Sequence, residues 1–163
     1  MDVGRKVLVP PIAPIAANTE VFDAGAVSFG VEYRRLDDDI VGKHLSEQDA
    51  RRLADIERKG GADDRGVSIH VYGRDGHEYL RFDCFDNGPH YHYITPGQDH
   101  QVVVTFDAAA NGDPLDWTLT ALRGRLVPML REAGGGAYAD ACDPGLVNDV
   151  LARVEHAARA AAG

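Results

Sequence analysis

The sequence is poor in cysteine, with two such residues, Cys84 and Cys142, among 163. Two cysteines are too few for a disulfide framework or for a zinc ribbon. Cys84 lies between Asp83 and Phe85 in a predicted strand, so we expect it to pack as a small apolar side chain. Cysteine chemistry therefore gives no basis for assigning a function.

Long apolar runs are also missing. No segment reaches the roughly 20 consecutive apolar residues that a membrane helix needs. The stretch 7–17 is apolar, but Pro10, Pro11 and Pro14 would interrupt the helical core of a signal peptide. We therefore expect a cytoplasmic protein with no membrane partner.

Positive charge is scarce, because 17 Lys and Arg residues stand against 26 Asp and Glu residues, for a formal net charge of -9. The basic residues are scattered and do not form the basic patch that nucleic acid attracts. We expect a small-molecule ligand as the partner, no nucleic acid, and a homodimer as an open alternative.

The chain length and its 44% of hydrophobic residues favour one globular domain. Residues 1–24 contain several prolines and little periodicity, which predicts an extended N-terminal arm. The remaining residues, 25–163, are predicted to form a single α+β domain. Apolar and polar side chains alternate over 26–36, a period of two that is typical of a strand with one buried face.

Three helices are predicted outside the strands. Ser46 and Asp49 form a capping box before a helix that should end at Gly60. Two further helices start with an Asp-Pro pair, at Asp113 and at Asp143, and carry Leu and Val at intervals of three and four. We predict an α+β fold, an antiparallel meander of about four or five strands with one face covered by the two C-terminal helices.

Two turn signals set the strand register between residues 67 and 94. Asp75-Gly76 favours a two-residue hairpin loop. That loop pairs Tyr72 with Tyr79, His70 with Arg81, and Ser68 with Asp83. The second turn, Asp86-Asn87-Gly88-Pro89, predicts a hairpin that pairs Phe85 with His90 and Asp83 with His92.

These registers separate two faces of the sheet, because directly opposed residues share a face. The predicted apolar face holds Val67, Ile69, Val71, Leu80, Phe82, Cys84, Tyr91 and Tyr93. The predicted polar face holds Ser68, His70, Tyr72, Tyr79, Arg81, Asp83, Phe85, His90 and His92.

The His90-Tyr91-His92 motif predicts a metal site. Residues two apart on a strand point the same way at roughly 7 Å, a spacing at which two imidazoles can hold one ion. We expect a divalent metal, zinc or iron, with Asp83 or Glu32 as third ligand, the latter only if its strand joins this sheet.

An acid–base alternative needs no metal. Asp83 would orient His92 as a general base, with His70 as a further catalytic candidate. Arg81 would bind an anionic group, and Tyr72, Tyr79 and Phe85 would supply aromatic walls. Either alternative describes an enzyme that acts on a small anionic or aromatic metabolite.

A non-catalytic small-molecule-binding or dimerisation module stays open beside the enzyme hypotheses. Salt bridges and stacked rings are common on exposed sheet surfaces. Burial of the polar face separates the alternatives, because a flat, exposed face would offer an enzyme no cleft.

Overall fold

The computed structural model describes residues 4, 6–9, 12–36, 46–49, 51 and 64–163. It has an α+β fold built on one seven-stranded antiparallel sheet. The strands are β1 (Lys6–Val9), β2 (Thr19–Asp23), β3 (Val27–Leu36), β4 (Asp64–Gly73), β5 (Glu78–Phe85), β6 (His90–Tyr93) and β7 (Gln101–Thr105). A short 3-10 helix, Ala16–Asn18, precedes β2.

The strand order is β1-β7-β6-β5-β4-β3-β2, so β2 to β7 form the predicted meander and β1 adds to β7. The predicted number of four or five strands is too low. The difference arises at the N-terminus, where the segment 1–24 contributes both edge strands, β1 and β2. The prediction of an extended arm rested on Pro10, Pro11 and Pro14, but these residues lie between β1 and β2 in the sequence, and both strands are free of proline.

Four helices follow the sheet: α1 (Ala108–Asn111), α2 (Pro114–Glu132), α3 (Gly136–Ala141) and α4 (Pro144–Ala162). The caps of the two long helices are confirmed: Asp113 accepts from the backbone N–H of Asp116, and Asp143 accepts from that of Gly145. Among the residues that the structure describes, no helix is both long and apolar enough to span a bilayer.

The helices α2 and α4 cover one face of the sheet and form the core with it. The predicted apolar face is confirmed as the face that they cover. The largest fully buried apolar side chains between this face and the helices are Phe29, Phe82, Ile69, Leu80, Leu119, Leu122, Leu130 and Leu151. Because each such side chain contributes about 1.5–3 kcal/mol on burial, this face dominates the stability.

The helix predicted after Ser46 is described only at its start. Ser46 Oγ donates to Asp49 Oδ2 at 2.8 Å, and the Asp49 backbone N–H donates back to Ser46 Oγ at 3.1 Å. The predicted N-cap at Ser46 is therefore confirmed, while the predicted end at Gly60 lies outside the described residues.

The first hairpin has a three-residue loop in place of the predicted two-residue loop. The Gly73 N–H donates to the carbonyl of His77, and Gly76 adopts φ 80° in the left-handed region that glycine favours. The longer loop shifts the register by one, so Tyr72 pairs with Glu78 and the predicted pairing of Tyr72 with Tyr79 is wrong.

A β-bulge at Tyr79 then restores the predicted register. His70 pairs with Arg81 and Ser68 with Asp83, as predicted. The bulge also turns the Tyr79 side chain to the helical face, where its ring lies 5.6 Å from that of Tyr138. Tyr79 therefore does not belong to the polar face.

The second hairpin is offset by two residues from the prediction. Asp83 pairs with His90, and Arg81 pairs with His92. The end of β5 pairs with β4 and not with β6, because the backbone N–H of Asp86 donates to the carbonyl oxygen of Arg65. An offset of two keeps every side chain on its predicted face but changes which residues are opposite each other.

Candidate functional site

The polar face of the sheet is buried within this chain. His70 is 0% exposed, and Arg81, Asp83, His90 and His92 are each 3% exposed. Part of the cover comes from the N-terminal segment, in which the Ile15 N–H donates to Glu32 Oε1 at 3.2 Å. The face is therefore an interior site, not an open surface.

Asp83, His90 and His92 form the centre of this face, brought together by β5 and β6. Asp83 Oδ2 lies 2.7 Å from His92 Nε2 and 3.1 Å from His90 Nε2. One ligand atom from each residue lies within 4.8 Å of the other two, and all three residues are buried. This is the predicted metal-ligand set with Asp83 as the third member.

Both imidazoles are oriented through their other ring nitrogen. His90 Nδ1 lies 2.6 Å from the carbonyl oxygen of Gly88, and His92 Nδ1 lies 2.8 Å from Oε1 of Gln101. Carbonyl oxygens only accept, so each Nδ1 carries the hydrogen. In the neutral imidazoles both Nε2 lone pairs then point towards the Asp83 carboxylate.

The Asp83 carboxylate is held from its other side as well. Ser68 Oγ on β4 donates a hydrogen bond to Asp83 Oδ1. Burial opposes ionisation of Asp83, whereas a hydrogen on Nε2 of His90 or His92 would donate to this carboxylate and hold its pKa well below the usual range. Burial also lowers the pKa of His92 to about 4, despite Asp83.

The Gly88 carbonyl that orients His90 is fixed by a buried aspartate at the start of β4. Asp64 accepts the backbone N–H of Asn87 at 3.1 Å and that of Gly88 at 2.7 Å. This carboxylate therefore sets the shape of the turn that precedes His90. Sequence reasoning missed Asp64, because only the β4–β5 pairing brings it to this turn.

A second charged cluster lies beside the first, centred on His70. His70 Nε2 lies 2.8 Å from Glu32 Oε2, and His70 Nδ1 lies 3.3 Å from Glu78 Oε2. Burial lowers the pKa of His70, but the two carboxylates outweigh burial and raise it. Glu32 does join the same sheet, as its candidate role required, but it contacts His70 and not the pair of His90 and His92.

Glu78 is a charged residue of this buried face that the sequence reasoning missed. Its Oε1 accepts from Arg81 Nε at 2.6 Å. Burial would raise the pKa of Glu78, but Arg81 and then His70 outweigh burial and lower it to about 2. A three-residue loop around Gly76 would have placed Glu78 on this face, and Asp-Gly fits that loop too.

Of the three aromatic residues predicted to line the site, two lie on the polar face and one on the opposite face. The Tyr72 ring stacks 6.0 Å from that of His70, and Phe85 meets His90 edge-on at 5.6 Å. Tyr79 lies on the opposite face, so it contributes no wall to the site. Cys84 packs towards Thr118, and burial raises the pKa of its thiol to about 12, which agrees with its predicted role as a packing residue.

A small cavity adjoins the Asp83–His90–His92 cluster. Its described lining comprises Val9, Ile12, Arg34, Leu36, Arg81, Asp83, His90, His92 and Gln101. The volume that the centre of a water molecule can occupy in this cavity is about 10 Å³, so the cavity has room for about one water molecule. The predicted residue Arg81 therefore lies beside the cluster, together with Arg34, which the sequence reasoning had not singled out as a site residue.

Comparison with known proteins identifies the family but no activity. Residues 21–158 match the family described as "Domain of unknown function (DUF7700)". No curated protein and no solved structure shows a significant match to the chain. The matched range contains β3 to β7 and with them every candidate site residue. The chain belongs to the DUF7700 family.

Proposed function

We propose that this chain is a metal-dependent enzyme. Asp83, His90 and His92 bind one divalent ion, zinc or iron, and a small anionic or aromatic metabolite reacts beside it. Two imidazoles and one carboxylate are a ligand set used for both metals, zinc in hydrolytic sites and iron in oxygen-using sites.

One observation carries the proposal: two histidine Nε2 atoms and one carboxylate oxygen converge while both Nδ1 atoms donate to carbonyl oxygens. Metal-binding histidines have this arrangement, in which the second ring nitrogen donates to a fixed oxygen. Lone pairs aimed at a carboxylate repel it unless a proton or a metal cation lies between them. A divalent ion removes that repulsion and compensates the buried charge.

A bound ion would supply the reactive chemistry of the site. With three protein ligands, zinc or iron keeps at least one position for water or substrate and lowers the pKa of a bound water. The chain's own residues orient the ligands through Gly88 and Gln101 and exclude bulk water by burial of the face.

The acid–base alternative is less well supported by the geometry. A general base needs a ring nitrogen directed at the substrate. Both nitrogens of His92 face protein oxygens, on Gln101 and Asp83, and both nitrogens of His70 face carboxylates. These residues are buried within the chain, so the geometry also does not support a dimerisation surface made of them.

Metal analysis of the untagged protein tests the proposal. Mass spectrometry of the purified chain should find about one zinc or iron per chain, as expected for a three-ligand site. The double variant His90→Ala/His92→Ala should lose this metal. His156→Ala on the exposed side of α4 is the matched control and should retain it.

A folding defect is separated from loss of ligands by a second measurement. Asp83→Asn keeps the volume of the side chain, and its circular dichroism should match the wild type while its metal content falls. Wild-type protein that takes up neither zinc nor iron, even after incubation with the salts, contradicts the proposal.

A further inference from the structure

A buried guanidinium with a donor to spare lines the cavity beside the cluster. Arg34 extends from β3 and its side chain is 5% exposed. Its Nη2 donates to the Ile12 carbonyl at 3.4 Å, but Nη1 has no hydrogen-bond partner in the described part of the chain. Glu32 Oε2 lies 3.8 Å from Nη1, which is beyond hydrogen-bond distance. Buried donors are rarely left without an acceptor, and ordered water commonly supplies one.

The size of the cavity limits what can bind in it. With about 10 Å³ available to the centre of a water molecule, it admits one water and no molecule of several heavy atoms. A buried water makes about three hydrogen bonds, so it needs a polar lining. The polar residues that line the cavity are Arg34, Arg81, Asp83, His90, His92 and Gln101. The cavity therefore suits a single water molecule.

The same cavity adjoins the proposed metal ligands. Asp83, His90 and His92 all line it, so an ion held by these three residues would border this space. Three protein ligands leave zinc or iron at least one position for a further ligand. The oxygen of a water in the cavity can bind the metal with one lone pair and accept from Arg34 Nη1 with the other.

We propose that the cavity encloses one water molecule bound by Arg34, and that this water is the fourth ligand of the metal in the loaded chain. The inference rests on the proposed metalloenzyme and specifies the further ligand that its closed site admits. A metabolite has no room beside this water. It therefore reaches the metal only when the apolar wall of the cavity moves, which is formed in the described residues by Val9, Ile12 and Leu36.

Fluoride is the probe for this site, because it is a single atom of nearly the size of water and accepts hydrogen bonds. We would load the full untagged chain with cobalt(II), whose visible spectrum reports on the ligand in the fourth position. Sodium fluoride should change the spectrum in a saturable way. Sodium azide at equal ionic strength should leave it unchanged, because azide is a longer, linear ion that the cavity cannot hold.

Removal of the donor should weaken fluoride binding. Arg34→Met should still hold about one cobalt per chain. It should bind fluoride about tenfold more weakly or worse, as expected when a hydrogen bond from a charged group is lost. Arg65→Met is the matched control, since Arg65 lies on the same sheet with a side chain 62% exposed, and it should bind fluoride as the wild type does.

The apolar wall gives a second test, which leaves Arg34 intact and serves even if Arg34→Met does not fold. Ile12 lines the cavity and is 6% exposed. Ile12→Ala enlarges the cavity and keeps the backbone carbonyl that Arg34 contacts, so azide should now change the cobalt spectrum. Ile15→Ala, the same change at a position that is 48% exposed, should still exclude azide.

Several results would overturn the inference. These are no fluoride effect in the cobalt-loaded wild type, azide binding to the wild type, unchanged fluoride affinity in Arg34→Met, or no azide effect in folded Ile12→Ala. If the wild type binds no metal, the proposed function fails separately. A crystal structure of the metal-free chain then decides the water site. Density for one water within hydrogen-bond distance of Arg34 Nη1 supports it, and no density there contradicts it.

Discussion

Gln101 at the start of β7 fixes the orientation of His92 on β6, with Gln101 Oε1 2.8 Å from His92 Nδ1. This contact directs the hydrogen to Nδ1 and leaves Nε2 to face Asp83 at 2.7 Å. Gly88 has the same effect on His90 through its backbone carbonyl. The proposed ligand set is thus oriented by one side chain and one peptide group.

Substitution of Gln101 should therefore weaken metal binding without removing a ligand. We expect Gln101→Leu to raise the zinc dissociation constant about 10–100-fold, because the His92 ring loses its fixed tautomer and direction. Competition with a chromophoric chelator measures the constant. Gln98→Leu, the same change on an exposed loop residue, is the control and should leave it unchanged. Equal constants for Gln101→Leu and wild type would exclude this orienting role.

Glu78 should be important for stability, because its carboxylate contacts two buried basic side chains, Arg81 and His70. Glu78→Gln removes the negative charge beside the Arg81 guanidinium at nearly constant volume. Breaking a buried ion pair on one side is expected to lower the free energy of unfolding by about 3 kcal/mol. Urea unfolding followed by circular dichroism measures this value. Glu132→Gln on the exposed side of α2 should change it by less than about 0.5 kcal/mol.

The raised pKa of His70 should make stability depend on pH. Because the folded pKa lies above the ordinary value of 6.5, the folded chain binds more protons than the unfolded chain above that pH. The contribution of His70 is thus fully present below pH 6.5 and is lost as the pH rises through the folded pKa.

The measurement compares metal-free wild type with His70→Gln from pH 6.5 upward. The free energy of unfolding of the wild type should fall more steeply with pH than that of the variant. His156→Gln, at an exposed position on α4, should reproduce the wild-type slope. Parallel slopes for wild type and His70→Gln would show that His70 contributes no such dependence.

The faces of the sheet could be predicted because side-chain direction in a strand follows a period of two. His70, Arg81, Asp83, His90 and His92 all lie on the predicted face. Tyr79 does not, since its bulge depends on whether the loop at Gly76 has two or three residues. The sequence Asp75-Gly76 is compatible with both loops.

The sequence predicted less well which residues of that face lie opposite each other on neighbouring strands. An offset of two residues leaves the alternation intact, so the sequence pattern cannot distinguish Asp83 opposite His92 from Asp83 opposite His90. The observed offset brings the turn before β6 to Asp64, the first residue of β4, which accepts the backbone N–H groups of Asn87 and Gly88. Such a contact forms only after the strands have paired.

A meander with one apolar and one histidine-rich polar face could be predicted from local alternation and turn residues. The burial of the polar face and the contact of one Asp83 oxygen with both histidines depend on how the strands pair and what covers them. The tertiary structure also placed Arg34, Glu78 and Gln101 around them. These side chains come from four different strands, β3, β5, β6 and β7, and the distances between them depend on strand register and on the cover from the N-terminal segment.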